Sequence, residues 1–326
     1  MAYEGTFLYL SQADVSAAGV SMSRIVEAVE TSLKEKALGR AKMPPKHWID
    51  LDEHRFFSAM SSAVEAAGAA ACKWQSGCST NGARGLPYIT GLLILNDIET
   101  GQPLAIMDST WITAQRTAAA TAVAARHFAS PDSRVLAMLG CGLQGRTHVV
   151  ALRQLFPKLA GVRAFDLVPA NAERYAAEIE RTHGIQVTCC PDAASALDGA
   201  DIVVTSGPIE PHAPRALRLD RVKPGALIVT IDYDCYWHPS ALAAADGFYT
   251  DDVGQMLHLK DYGYFLHVPP VTAEVGEVAA GRKPGRRRAG DILMSMNMGV
   301  SVEDVATARL VYDAAVAQGR GVRLPL

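Results

Sequence analysis

No apolar run approaches the roughly 20 residues that a membrane-spanning helix needs. The amino terminus, with Glu4 and Asp14, also lacks the basic region and long apolar stretch of a signal peptide. The expectation is a cytoplasmic protein with no membrane partner. An excess of one charge is missing too: 31 Lys and Arg stand against 34 Asp and Glu, a formal net charge of −3. With no basic field to hold a polyanion, nucleic acid is not an expected partner. Cysteine is sparse, and Cys72, Cys78, Cys141, Cys189, Cys190 and Cys235 have neither metal-site pairing nor the density of a disulfide scaffold, so they are read as reduced. The nine histidines show no i, i+4 pairing or clustering, and no metal is expected. Internal repeats and low-complexity segments are likewise missing.

What is present is ordinary globular material, 326 residues at 49% hydrophobic and 20% charged, enough for one large or two moderate cores, and two domains are expected. Between about Val135 and Asp251, short β-branched or apolar runs alternate with longer helical stretches, the pattern of βαβ units around a parallel sheet. Residues 134–139, 161–166, 186–190, 201–206 and 226–231 read as strands, and 146–156 and 170–182 as helices. The class is therefore α/β, and this block is a dinucleotide-fold candidate. Earlier in the chain come an amphipathic helix over 23–38, a Pro44-Pro45 break, strand-like runs at 91–95 and 104–107, and an alanine-rich helix over 111–129 stopped by Pro131. After a basic loop at 281–288, residues 297–317 repeat apolar side chains at helical spacing, and this last helix is expected to return to the first domain. Arg286-Arg287-Arg288 is read as a solvated loop.

Gly140-Cys141-Gly142-Leu143-Gln144-Gly145 is a G-x-G-x-x-G placed directly after an expected strand and before an expected helix. Gly140 permits a tight turn, Gly142 lets backbone approach a pyrophosphate, and Gly145 permits close helix–strand packing. The helix N-terminus then offers N–H groups and partial positive charge to phosphate. Asp166 ends the second strand, where an acid would hold the ribose 2′-hydroxyl of NAD, and Leu167 and Val168 offer no cation for a 2′-phosphate. NAD is expected rather than NADP; the competing reading is a tight turn with no ligand.

A nicotinamide over that sheet would need a cation for the substrate carboxylate and a proton donor or acceptor near the reacting carbon, supplied by the other domain. Lys73 follows Ala69-Ala-Ala-Cys72 and is either a snorkelling lysine at a strand end or, if buried, an acid or base of lowered pKa. Arg116, in Ile112-Thr-Ala-Gln-Arg-Thr-Ala-Ala-Ala120, sets one guanidinium among small side chains and suits bidentate capture of a carboxylate; the alternative is a surface arginine. Asp234 comes just after the strand at 226–231, at the carboxyl edge of the sheet, with Asp232 two residues earlier; one of the two is expected to be only a turn residue. Periodicity leaves Trp48, Phe57, Met60, Trp237 and Tyr264 open between lining a site and filling a core.

Taken in order, Lys73-Trp74, Trp111-Ile-Thr-Ala-Gln-Arg-Thr-Ala-Ala-Ala120, the glycine loop, the segment 225–234 and Gly299-Val-Ser-Val-Glu-Asp304 resemble the ornithine cyclodeaminase/mu-crystallin family over nearly the whole chain. The resemblance implies a homodimer and a Rossmann-type doubly wound parallel sheet, residues 131–296, inserted in a split α+β substrate and dimerisation domain, residues 1–130 plus 297–326. Carried onto this chain, it makes Lys73 the catalytic or substrate-orienting lysine, gives Arg116 the substrate carboxylate and sets Thr117 against the cofactor phosphate. It puts Asp234 where cyclodeaminases keep a catalytic aspartate, and brings Tyr88, Thr205, Ile231, Asp232 and Asn297 at or near the cofactor, beside Leu143 and Gln144 of the loop. Four positions depart from the pattern. Lys46 stands for an early substrate-binding arginine and offers a cation without a fork. Ser58 stands in the region of a glutamate that holds a distal amine, which weakens ornithine as substrate. Asp232 replaces a frequent glycine, and Asn297 a frequent serine.

Three functions are compatible with these residues. The first is net redox chemistry at Cα, as an NAD-dependent amino-acid dehydrogenase or imine reductase. The second is cyclodeamination with NAD used catalytically, which Asp234 favours and Ser58 opposes. The third is a protein that binds a nicotinamide and a small ligand without turnover.

Overall fold

The computed structural model describes residues 5–210 and 212–326, so Glu4 lies outside it. The chain divides into two units, Met1–Arg116 with Val300–Leu326, and Thr117–Gly299. The boundary falls within one continuous helix, Thr110–Phe128.

In the first unit the sheet order is Val322–Pro325, Thr6–Leu10, Pro103–Asp108, Ile89–Asp97, Ala69–Cys78, Arg55–Val64 and Ala41–Lys42, with His47–Asp52 also pairing to Arg55–Val64. Only the Thr6–Leu10 and Pro103–Asp108 pair is parallel. The pleat assigns alternate residues to opposite faces. On one face lie Ser58, Met60, Val64, Lys73, Gln75, Leu93, Leu95, Ala105 and Met107, all buried. The helices Met22–Ala37 and Ser301–Ala317 pack together, and both lie against Arg55–Val64. Ile25, Val26, Val29 and Leu33 make the buried stripe of the first, while Val302, Val305, Ala306 and Ala308 are buried in the second. The other face carries Tyr9, Trp74, Leu92 and Ile94, exposed at 38%, 46%, 48% and 42%.

In the second unit eight strands run Gln186–Cys189, Gly161–Phe165, Val135–Leu139, Ile202–Thr205, Leu227–Thr230, Leu293–Met296, Gly247–Thr250 and Ala273–Glu274, every pair parallel. Strand order reverses between Val135–Leu139 and Ile202–Thr205, a topological switch point of the kind at which doubly wound sheets bind ligands. The parallel sheet matches the α/β class expected from sequence.

Three local expectations are corrected. The helix after the glycine loop is Leu143–Leu155 and begins inside the fingerprint, because Gly142 is itself the N-cap. The last helix begins at Ser301, not at 297: residues 297–300 have no regular secondary structure, and Leu293–Met296 before them is a buried strand that was not assigned from sequence. Arg286 is half-buried, not a freely solvated residue: it donates to the backbone carbonyls of Phe128 at 2.7 Å, Ala226 at 3.4 Å, Ala289 at 3.5 Å and Asp291, and burial lowers its pKa. A planar guanidinium with five donors can close three strand and helix ends at once, and this use leaves no mark in sequence.

The glycines of the loop separate into two kinds. Gly140 has φ +103°, and a Cβ there would meet Ser206 Oγ at 2.5 Å; a Cβ on Gly145 would meet the Gly140 carbonyl oxygen at 2.6 Å. A Cβ on Gly142 would meet nothing within 4 Å. Gly145→Ala is therefore expected to lower unfolding stability by roughly 1–3 kcal/mol through overpacking, and Gly142→Ala to leave it unchanged. Urea unfolding of the two variants checks this, and equal losses would contradict it.

Candidate active site

Each unit gathers one group of the residues singled out from sequence. In the first unit Lys73 lies mid-strand and fully buried, not at a strand end as a snorkelling residue would. Its Nζ donates to Asp304 Oδ1 at 2.9 Å and to Thr113 Oγ1 at 3.2 Å. Burial lowers its pKa to about 8, against the attraction of Asp304 and with the repulsion of Arg116. Arg116, 5% exposed, donates from Nε to the same Asp304 Oδ1 at 3.1 Å and from Nη1 to Glu303 Oε2 at 2.9 Å. The expectation of a lone guanidinium among small side chains is thus corrected: two of its nitrogens hold carboxylates of its own chain. Both carboxylates sit in the first turn of Ser301–Ala317, where the helix dipole favours anions.

Lys46, 6% exposed, immediately precedes the His47–Asp52 strand, which pairs with the strand that carries Ser58 and Met60. Met60 and Leu93 are the cross-strand neighbours of Lys73. Ser58 is buried across from Gln75 and accepts its Nε2 at 3.2 Å; the Gln75 carbonyl oxygen is buried and accepts no hydrogen bond among the described residues. Tyr88 is 37% exposed, just before the Ile89–Asp97 strand.

In the second unit the fold brings the glycine loop, Asp166, Thr205, Ile231, Asp232, Asp234 and Asn297 to the carboxyl edge of the parallel sheet. Gly140, Gly142, Leu143, Gln144 and Gly145 follow the strand Val135–Leu139, and Gly142 and Leu143 are exposed there. Asp166 follows the next strand, where Oδ2 accepts Cys141 N at 2.9 Å and Oδ1 accepts Val168 N at 2.9 Å and Asn171 Nδ2 at 3.1 Å. Thr205 ends the strand Ile202–Thr205, and its hydroxyl donates to Asp232 Oδ1 at 2.6 Å. The other Asp232 oxygen accepts Gly207 N at 2.9 Å, and burial raises this carboxyl to about 7. Ile231 N bonds Thr205 O at 3.0 Å. Asn297, 3% exposed, follows Leu293–Met296 and accepts Ser295 Oγ at 2.7 Å. Thr117, 8% exposed, lies one position past Arg116 on the Thr110–Phe128 helix.

Asp234 is fully buried. Its Oδ1 accepts Phe265 N at 3.0 Å, and its Oδ2 accepts Arg215 Nη2 at 3.1 Å. Neither Asp232 nor Asp234 is a loose turn residue; both knit the strand edge to neighbouring loops. Glu303, Asp304 and Thr113 lie in motifs that carry the family resemblance but were given no role from sequence, and Arg215 was not picked out at all. Glu303 and Asp304 had a signal, two adjacent acids amid buried Val302, Val305 and Ala306, since buried carboxylates demand cations. Arg215 had none. Of the open aromatics and Met60, Trp237 and Tyr264 belong to the core of the second unit, Met60 is buried beside Lys73, Phe57 stacks on Trp74 with centroids 5.6 Å apart, and Trp48 stacks on Phe56 at 4.2 Å.

The fit to a dinucleotide rests on this edge. Gly142 leaves space where a side chain would stand, the Leu143–Leu155 helix begins there, and an acid ends the second strand. Among the described residues no group of three metal-binding side chains occurs, and no helix is long and apolar enough to cross a membrane.

Comparison with known proteins agrees in extent as well as in kind. The alanine dehydrogenase of Archaeoglobus fulgidus is 31% identical over 97% of this chain and 98% of its own. Among solved structures, an archaeal alanine dehydrogenase dimer with bound NAD superposes with a TM-score of 0.88 at 31% identity, covering 98% of this chain and 99% of that one. The Δ1-pyrroline-2-carboxylate reductase of Thermococcus litoralis, in complex with NADH and L-proline, gives 0.85 at 28% identity, covering 97% and 99%. The model of the ornithine cyclodeaminase/mu-crystallin family matches residues 8–319, and the chain belongs to that family.

Proposed function

We propose that this chain is an NAD-dependent oxidoreductase that acts on the Cα–N bond of a small amino or imino acid, as an amino-acid dehydrogenase or ketimine reductase. The observation that carries the reading is Lys73, an amine fully buried beside Arg116. An amine with a pKa of about 8 can take or give a proton near neutrality, and a neighbouring guanidinium suits a carboxylate. Bound at the carboxyl edge of the parallel sheet, NAD supplies the acceptor or donor of hydride. Gly140, Gly142, Leu143, Gln144 and Gly145 would hold its pyrophosphate, with Thr117; Asp166 would take the ribose, which favours NAD over NADP. Thr205, Ile231, Asp232 and Asn297 complete the proposed lining in the second unit.

In the first unit Arg116, with Lys46, fixes the substrate carboxylate, and Lys73 moves the proton. Ser58 presents a hydroxyl to Gln75 and no carboxylate, so the pocket favours a substrate without a distal ammonium. Asp234 accepts one hydrogen bond from its own chain on each carboxylate oxygen, which gives it a part in fixing the strand edge; the weight against cyclodeamination rests on Ser58. A relative solved with NADH and L-proline and another named for alanine point to the same size of substrate. The proposed place of work is the cytoplasm, in keeping with six free cysteines.

The proposal extends to a homodimer, with a second copy on the outward sheet face of Tyr9, Trp74, Leu92 and Ile94, whose exposure would otherwise leave an apolar patch in water. Light scattering after gel filtration is expected to give the mass of two chains, and Trp74→Glu with Ile94→Asp the mass of one. A monomeric wild-type chain would refute the dimer.

Incubation with NAD and a panel of small L-amino acids, following NADH absorbance and ammonia together, tests the activity. NADH is expected with alanine, accompanied by ammonia, or with proline, accompanied by a cyclic imine. Ammonia without NADH would replace the reading with cyclodeamination. Silence in both, with NAD bound in calorimetry, would leave only imine reduction to test before a binding role. Oxidation needs neutral Lys73 and is expected to speed up as pH rises through about 8, whereas reduction needs the ammonium and is expected to slow over the same range. Lys73→Ala is expected to cost roughly 100-fold or more in either direction, with NAD affinity kept, while Gly142→Ala weakens NAD binding.

A further inference from the structure

Lys73 and Arg116 do not merely lie near each other: they share one oxygen, Asp304 Oδ1, at 2.9 Å and 3.1 Å. Glu303 Oε2 takes the Arg116 Nη1 at 2.9 Å. The charged groups that face Lys73 are thus Asp304 and Glu303 on the Ser301–Ala317 helix and Arg116 on the Thr110–Phe128 helix. Its cross-strand neighbours, Met60 and Leu93, are apolar, and Thr113 contributes a hydroxyl. Asp304 Oδ2 is buried and accepts no hydrogen bond among the described residues, so the charge of this carboxylate is divided between the two cations and nothing else.

We propose that Asp304 is a positioning residue that couples the proton on Lys73 to what Arg116 holds. The inference rests on the reading of Arg116 as the carboxylate-binding group. When an anionic carboxylate settles on Arg116 it competes with Asp304 for the guanidinium. It also adds negative charge beside Lys73, so Asp304 is left to the ammonium and Lys73 keeps its proton. Carboxylate capture and loading of the acid then become one event. Linkage requires the reverse as well: a carboxylate must bind more tightly when Lys73 is protonated.

The test uses the full chain with NAD present and propionate as the probe, a carboxylate that has no amine to oxidise. Lysine labelled with 13C at Cε reports the titration of Lys73, its signal assigned by its loss in Lys73→Arg. Saturating propionate is expected to raise the wild-type midpoint by about one pH unit. In Asp304→Asn the midpoint is expected to fall and the response to propionate to shrink below a third; Asp304→Glu is expected to restore both. Calorimetry on the wild-type chain gives a reading that needs no variant to fold: propionate affinity is expected to drop about tenfold as pH rises through the Lys73 midpoint. A pH-independent affinity, an undiminished response in Asp304→Asn, or no propionate binding at all would overturn the proposal. None of these readouts needs turnover, so a chain inactive in the hydride assay can still pass, and an active dehydrogenase can still fail.

Discussion

The buried meeting of Lys73, Arg116, Glu303 and Asp304 is the constraint on which the first unit depends. Removing an ion from water costs several kcal/mol in an effective protein medium, and an uncompensated buried charge is worse than no charge. Here two cations and two anions cancel at contact distances of 2.9–3.1 Å. The cations come from a sheet strand and the helix after the sheet; the anions come from more than 180 residues further on. Neither pair is tolerable in the core without the other, so the Ser301–Ala317 helix has to lie on this sheet. The ion pairs thereby fix the register of the returning helix more sharply than its small apolar stripe could, since Val302, Val305, Ala306 and Ala308 would accept several rotations. Replacing the network with hydrocarbon could well stabilise the fold. Its retention is better explained by the chemistry proposed for Lys73 and Arg116.

The second unit works by topology more than by buried charge. A parallel sheet ends all its strands on one edge, and the groups of that edge hold one another in place before any ligand arrives. Asp166 ties the glycine turn to the second strand through Cys141 N, and Asp232 ties the fourth and fifth strands through Thr205 and Gly207. Preorganisation of this kind lowers the ordering cost of binding. A ribose hydroxyl arriving at Asp166 would find a carboxylate already oriented by three donors.

What could be read beforehand follows from how local each signal is. The βαβ alternation is read from runs of neighbouring residues, and the glycine turn and Asp166 are governed by φ, Cβ volume and a strand end, so they were legible. Lys73 and Arg116 were legible as oddities, a charge in an alanine run and a guanidinium in a small-residue helix. Their partners were not, because pairing across 231 residues is a property of the folded chain. Arg286 misled for the same reason: three consecutive arginines look solvated, and only the folded loop shows that the first donates to four backbone carbonyls. Leu293–Met296 is a four-residue strand left unassigned from sequence.

Asp234 shows how a residue can matter to a site through the backbone that it holds. Tyr233 and Phe265 both have positive φ, 61° and 56°, a conformation that side chains larger than Asn rarely adopt, at a cost on the order of 1–3 kcal/mol each. Both are buried, their ring centroids lie 5.2 Å apart, and Tyr264 packs edge-on against Tyr233 at 5.1 Å. Asp234 joins the two strained points directly: it follows Tyr233 in the chain and accepts the Phe265 N–H, while Arg215 donates to its carboxylate and to its backbone oxygen. Aromatic packing and a charge-assisted anchor together offset the strain, and the result is a fixed turn directly after Asp232 at the strand edge. A carboxylate committed in this way shapes the edge on which the cofactor is proposed to lie. The mobile proton of the proposed reaction belongs to Lys73, whose ammonium is the group in this chain held by a shared carboxylate oxygen and brought by burial into the range where it can let go.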